Sequence, residues 1–270
     1  MLLKLITFLS LVAPATVIAA EPDAREPTAR WVVNFADAQC IARRAYGSAE
    51  DPLHLILKAP PLGEVMQVAV MREEGPAAPV QVEATIGIDG RPPIKTNMLA
   101  FAPESGGLRV HLLNMPSGDF ALVREAKSLQ IRSARLNETF ALSQMGPLLQ
   151  VMEECVTDLR QVWNVANPDG TQSALPQRAR AELYKLFDPD DYPPGALGRN
   201  QSGIVKFVAL VDENGRVADC TIIETSGVAA LDVQTCAIIQ ERAKFEPAVG
   251  QDGKRTKDAV IQGVRWKLPD

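Results

Sequence analysis

Between Trp31 and Ser133 the apolar runs are short, and turn signals separate them. The runs are Trp31–Val33, Cys40–Tyr46, Leu53–Lys58, Val65–Arg72, Val80–Ile88, Leu108–Leu113, Phe120–Val123 and Leu129–Ser133. Pro60-Pro61, Asp89-Gly90, Ser105-Gly106-Gly107 and Pro116-Ser117-Gly118 break them up. Many short strands at this spacing predict a mostly antiparallel β domain, a sandwich or a barrel-like sheet, over residues 31–166. The domain is expected to end in a helix, because Leu148, Leu149, Met152, Cys155, Val156, Leu159 and Trp163 recur at three- and four-residue intervals. No internal repeat turns these strands into a solenoid.

At 270 residues the chain exceeds a typical single domain, and 46% hydrophobic with 23% charged residues describes a globular protein. A net charge of −5, with no basic patch interleaved by aromatics, argues against nucleic acid as a partner. Residues 167–190 are richer in polar residues and breakers and are expected to be a linker, with a short helix near Gln177–Phe187. The remainder, 191–270, has a different punctuation. An apolar strand, Gly203–Val211, meets an Asn214-Gly215 turn and a return strand over Arg216–Glu224, a hairpin pattern. A helix follows to Ala243, with Val228, Leu231, Thr235, Ile238 and Ile239 on one face and Asp232 in its first turn, where negative charge is favoured. The last strand, Asp258–Leu268, alternates: Val260, Val264, Trp266 and Leu268 face one way, Ile261, Gly263, Arg265 and Lys267 the other. The expected layout is ββαβ, making the whole chain α+β.

This second segment resembles the C-terminal domain of TonB, the energy transducer that reaches across the bacterial periplasm to outer-membrane receptors. The resemblance lies in Tyr192-Pro193, Asn214-Gly215-Arg216-Val217, Ser226-Gly227, Leu231-Asp232, the Arg242–Pro247 stretch and the terminal strand through Trp266. It implies a sheet that accepts an extended partner peptide along an exposed strand edge. The candidate edge here is the terminal strand, with Val260, Gln262, Val264, Arg265, Trp266 and Lys267 as partner-binding candidates beside Tyr192 and Pro193. Charged Arg265 and Lys267 equally suit an edge guarded against aggregation, and Tyr192-Pro193 equally suits packing at the domain entry.

Lys4 precedes a mostly apolar run, Leu5–Ala20, that ends in small residues before Glu21. This pattern predicts a secretory signal cleaved between Ala20 and Glu21, and hence a periplasmic location. The alternative is an uncleaved inner-membrane anchor. Full-length transducers of the family keep a membrane helix with a polar residue, typically histidine, whereas positions 5–20 contain neither histidine nor charge. Four cysteines behind such a leader suggest two disulfides, and three pairings are formally open. Locality favours Cys220 with Cys236, a pair of positions at which many TonB-like domains carry cysteines, leaving Cys40 for Cys155. Metal ligation is the weaker reading, since there is no Cys-x-x-Cys and only two histidines.

No catalytic centre or cofactor is expected. His54 and His111 lie mid-strand without a nucleophile motif beside them. Glu153-Glu154 diverge on a helix, Asp190-Asp191 read as a polar turn, and no Gly-rich phosphate loop is present. The primary expectation is a non-enzymatic periplasmic protein whose TonB-like domain binds a protein partner, such as an outer-membrane receptor peptide, or cell-wall material. The alternatives are a divergent membrane-anchored transducer, and a small-ligand-binding or enzymatic amino-terminal domain with a TonB-like docking module.

Overall fold

The computed structural model describes residues 24–62, 65–103, 106–116, 121–165 and 175–268. The expected leader and its cleavage point at Ala20 and Glu21 lie outside the described residues. Nine antiparallel strands form one sheet: β1 (Val32–Ala36), β2 (Gln39–Ala45), β3 (Leu53–Ala59), β4 (Val65–Arg72), β5 (Val80–Ile88), β6 (Ile94–Phe101), β7 (Arg109–Pro116), β8 (Ser128–Ser133) and β9 (Asn137–Ala141). Their spatial order is β1-β2-β3-β4-β7-β6-β5-β8-β9. Alternation sets the two faces. In β3, Leu53, Leu55, Leu57 and Ala59 are buried while His54, Ile56 and Lys58 between them are only partly so.

The sheet curls, so its distant strands meet. The Tyr46 ring on the β2 side stands edge-on to Phe140 of β9 at 4.9 Å, and its hydroxyl donates to the Ala141 carbonyl at 2.9 Å. Glu138 of β9 pairs with Arg72 of β4 at 3.2 Å and with Arg25 at 2.9 Å. The architecture is therefore barrel-like rather than a two-layer sandwich. Helix α1 (Met145–Val162) packs its apolar stripe, Met145, Leu148, Leu149, Met152, Cys155 and Leu159, into the same core. A disulfide from Cys155 to Cys40 of β2 staples it there.

Two strands escaped the hydrophobic pattern, β6 and β9, because Lys95-Thr96-Asn97 and Asn137-Glu138-Thr139 make their first halves polar. The run expected as a strand over Phe120–Val123 instead forms, in its described part, a 3-10 turn over Ala121–Glu125. There Val123 alone anchors a segment rich in charge. A one-residue anchor does not supply the alternating face a strand needs.

The carboxy-terminal unit follows the ββαβ layout. A one-turn helix, α2 (Pro194–Leu197), leads into β10 (Gly203–Val211), β11 (Val217–Glu224) and α3 (Ala229–Arg242). The short pair β12 (Ala248–Val249) and β13 (Arg255–Thr256) precedes β14 (Asp258–Trp266). The three long strands form a second antiparallel sheet ordered β11-β10-β14. Gly215 closes the hairpin at φ +79°, and a Cβ there would sit 2.0 Å from the Phe245 carbonyl oxygen, so only glycine fits. Val205, Phe207, Ala209 and Val211 face α3, which a Cys220–Cys236 disulfide fastens to β11. Val208, Leu210 and Ala259 face the other way and join the core of the nine-stranded sheet.

The connector expected to be helical over Gln177–Phe187 is mostly extended, with one 3-10 turn at Leu183–Leu186. Gln177 and Arg180 form bridges to Val249 and Glu246. These backbone partners, offered by the loop around β12, outbid a helix whose apolar residues cover less than three turns.

Candidate functional site

Of the two edges of the three-stranded sheet, β11 faces the barrel. The Ile222 carbonyl accepts from Asn114 Nδ2 of β7 at 3.1 Å, and the Thr225 hydroxyl lies 3.0 Å from Gln81 Oε1 of β5. The other edge is β14. Its beginning is covered: Arg178 Nη2 donates to the Ala259 carbonyl at 2.7 Å, and Asp258 accepts from the Arg178 guanidinium and from the Ala179 backbone N–H at 2.8 Å. Because backbone groups alternate sides along a strand, the outward carbonyl of Ala259 sets the phase. Ile261, Gly263 and Arg265 turn both N–H and C=O away from β10.

Beside this stretch runs a groove of about 460 Å³ lined by Leu183, Tyr184, Phe187, Asp188, Pro189 and Tyr192 opposite residues 263–267. Its floor is aromatic. The Trp266 ring meets Phe187 edge-on at 5.3 Å and Tyr192 at 5.4 Å. Trp266 Nε1 donates to Thr235 Oγ1 of α3 at 2.9 Å, which fixes the indole. The far wall is held by Asp191, whose carboxylate accepts from Arg242 at 2.7 Å and from the Asp188 N–H at 2.8 Å. The Arg242 hydrogen bond, helped by that N–H, holds the Asp191 carboxyl below the usual carboxylate range. Tyr184, 73% exposed, gives the groove wall apolar surface.

Among the residues expected to bind a partner, Tyr192, Val264, Arg265, Trp266 and Lys267 come together in this groove. Pro193 caps α2 outside it. Val260 is buried against α3 with Phe207 and Ile239, and Gln262 lies on the same strand short of the groove. Sequence reasoning missed Leu183, Tyr184, Phe187, Asp188 and Pro189, which it placed in the linker. The signal available was the aromatic pair Tyr184 and Phe187 just ahead of Tyr192.

The polar candidates elsewhere lie outside this groove. His111 is buried inside the curled sheet and His54 is partly buried, and burial pushes both imidazole pKa values down. Neither Nδ1 has a hydrogen-bond partner among the described residues. Glu153 pairs with Arg124. Among the described residues no group of His, Cys, Asp and Glu is arranged to hold a metal ion, and no helix is long and apolar enough to cross a membrane.

No curated protein matches the sequence. Residues 188–268, which hold the open edge, Tyr192 and Trp266 of the aromatic floor and part of the groove wall, match the model of the family described as the Gram-negative bacterial TonB protein C-terminal. The carboxy-terminal unit of this chain is a TonB C-terminal domain.

Proposed function

We propose that this chain is a non-enzymatic periplasmic binding protein that takes up an extended segment of a partner protein as an added strand on β14. The family carries an interaction domain for proteins such as outer-membrane receptors, and a receptor segment is the partner class this reading favours. The observation that supports it best is the outward backbone of Ile261, Gly263 and Arg265, without a hydrogen-bond partner among the described residues, on the strand that runs into an aromatic groove. Backbone bonding along such an edge supplies affinity, and pockets for alternate side chains supply register. Exposed Arg265 and Lys267 favour a segment carrying a carboxylate at that end.

The docking of β10 and β11 on the barrel supports a fixed binding protein over a transducer that must reach across the periplasm. Asp219 of β11 accepts from Lys58 of β3 at 3.4 Å and from Gln39 of β2, while Val208 and Leu210 fill the join. The reading is tested by nuclear magnetic resonance with isotope-labelled protein and peptides copied from the periplasm-facing ends of outer-membrane receptors. Shifts should run along residues 261–267 and the Trp266 indole, and shifts confined to the nine-stranded sheet would refute it.

A further inference from the structure

A second cavity, of about 260 Å³, lies where β11 and the first turn of α3 meet β4, β5, β6 and β7. It is smaller than the pockets that hold drug-sized ligands. Four amides line it, Gln67, Gln81, Asn97 and Asn114, with the hydroxyls of Thr96 and Thr225. Leu99, Leu112, Ile222 and Ile223 supply apolar wall. Among the described residues no lysine, arginine or histidine lines it, so none of them compensates an anion there.

Its two carboxylates are already committed. Glu224 is paired with Lys206 at 2.6 Å. Asp232, 1% exposed, accepts from the Ser226 N–H at 2.9 Å, the Ser226 hydroxyl at 2.7 Å and the Thr225 hydroxyl. Neither is left as counter-ion for a cation. The amides are not fully used: Gln67, 4% exposed, gives Nε2 to Asn114 Oδ1 at 3.2 Å, which leaves its Oε1 as an acceptor. Gln81 has only its Oε1 near a partner among the described residues, the Thr225 hydroxyl, and the Asn97 side chain has none among them. Unused amide donors and acceptors beside an apolar wall suit groups that both donate and accept, such as hydroxyls on a ring with a C–H face.

We propose that this cavity binds a small, neutral, hydroxyl-rich ligand of the saccharide type, held between the nine-stranded sheet and the TonB-like sheet. Because both sheets contribute contacts, the ligand stabilises their docking by mass action. The site is separate from the β14 groove, so it stands or falls independently of peptide binding there.

The test is titration of the purified, isotope-labelled protein with glucose and N-acetylglucosamine, and separately with spermidine and inorganic phosphate. Saturable shifts at the side-chain amides of Gln67, Gln81, Asn97 and Asn114 with a neutral sugar, at about millimolar affinity, are the expected result. Asn97→Leu, at an exposed position whose side chain has no hydrogen-bond partner among the described residues, should weaken the sugar about tenfold or more while leaving peptide shifts on β14 unchanged. No shift up to about 0.1 M sugar, shifts elsewhere on the protein, indifference to Asn97→Leu, or shifts at these amides with spermidine or phosphate but not with sugars would each overturn the proposal.

Discussion

Thr225 has one hydroxyl proton, and both Gln81 Oε1 and Asp232 Oδ2 lie within its reach. Only one of them can receive it, unless Asp232 carries a proton of its own and donates back. Burial raises the Asp232 pKa despite the hydrogen bonds from Thr225 and Ser226 that oppose the shift. A carboxyl raised in the folded state adds stability that is fully present below its unfolded pKa, near 3.9. That stability is lost as pH rises through the folded value. Asparagine at this position offers an oxygen to Ser226 and an N–H to Thr225, which then serves Gln81. Asp232→Asn should therefore match wild type in melting temperature in acid and become the more stable of the two as pH rises to neutrality. Asp232→Ala strands the Ser226 donors and should cost about 1–3 kcal/mol at any pH. Thermal melts of the three proteins across pH check both. The sequence placed Asp232 in the first turn of a helix and favoured it there through the dipole. Its burial under Gln81 depends on a strand a long way off in the chain, which no local pattern encodes.

At the scale of elements, the legible parts were those with strong local periodicity. The Asn214-Gly215 hairpin, the face of α3 and the alternation of β14 follow from residues within one turn or one strand. The segment from Leu175 to Tyr192 was not legible, because its conformation is set by Val249, Glu246 and Asp258, and these pair with it only once the unit has folded. That is also why half the groove was hidden from the sequence. The two disulfides act on different elements. Cys220–Cys236 closes a separation of 16 residues and Cys40–Cys155 one of 115. In the chain-entropy model their removal should cost about 3 and 4–5 kcal/mol respectively. Denaturant titrations of the paired Cys→Ser variants should show the larger loss for Cys40 and Cys155, and equal losses would refute that order.

At the scale of the whole molecule, a polar seam and a shared core join the two sheets. Lys58 and Asp219 are both mostly buried in the seam, with side chains 17% and 7% exposed. Lys58→Ala leaves the Asp219 carboxylate, among the described residues, with only Gln39 and Thr221, a loss of roughly 3 kcal/mol. Because Val208, Leu210 and Ala259 belong to the barrel core, calorimetry of the wild type should give a single unfolding transition. In Lys58→Ala the carboxy-terminal unit should melt first. The docked arrangement leaves β14 as the edge turned toward the groove, and the account's central claim is that a partner strand is received there. The most direct measurement compares receptor-peptide binding to Gly263→Pro and Gly263→Ala. Proline removes an outward N–H without touching the ladder to β10. Alanine keeps that N–H, and its Cβ would meet nothing closer than the Val205 carbonyl oxygen at 3.6 Å. The account predicts that alanine binds as wild type does and that proline loses about tenfold or more. Equal binding by both variants would contradict it.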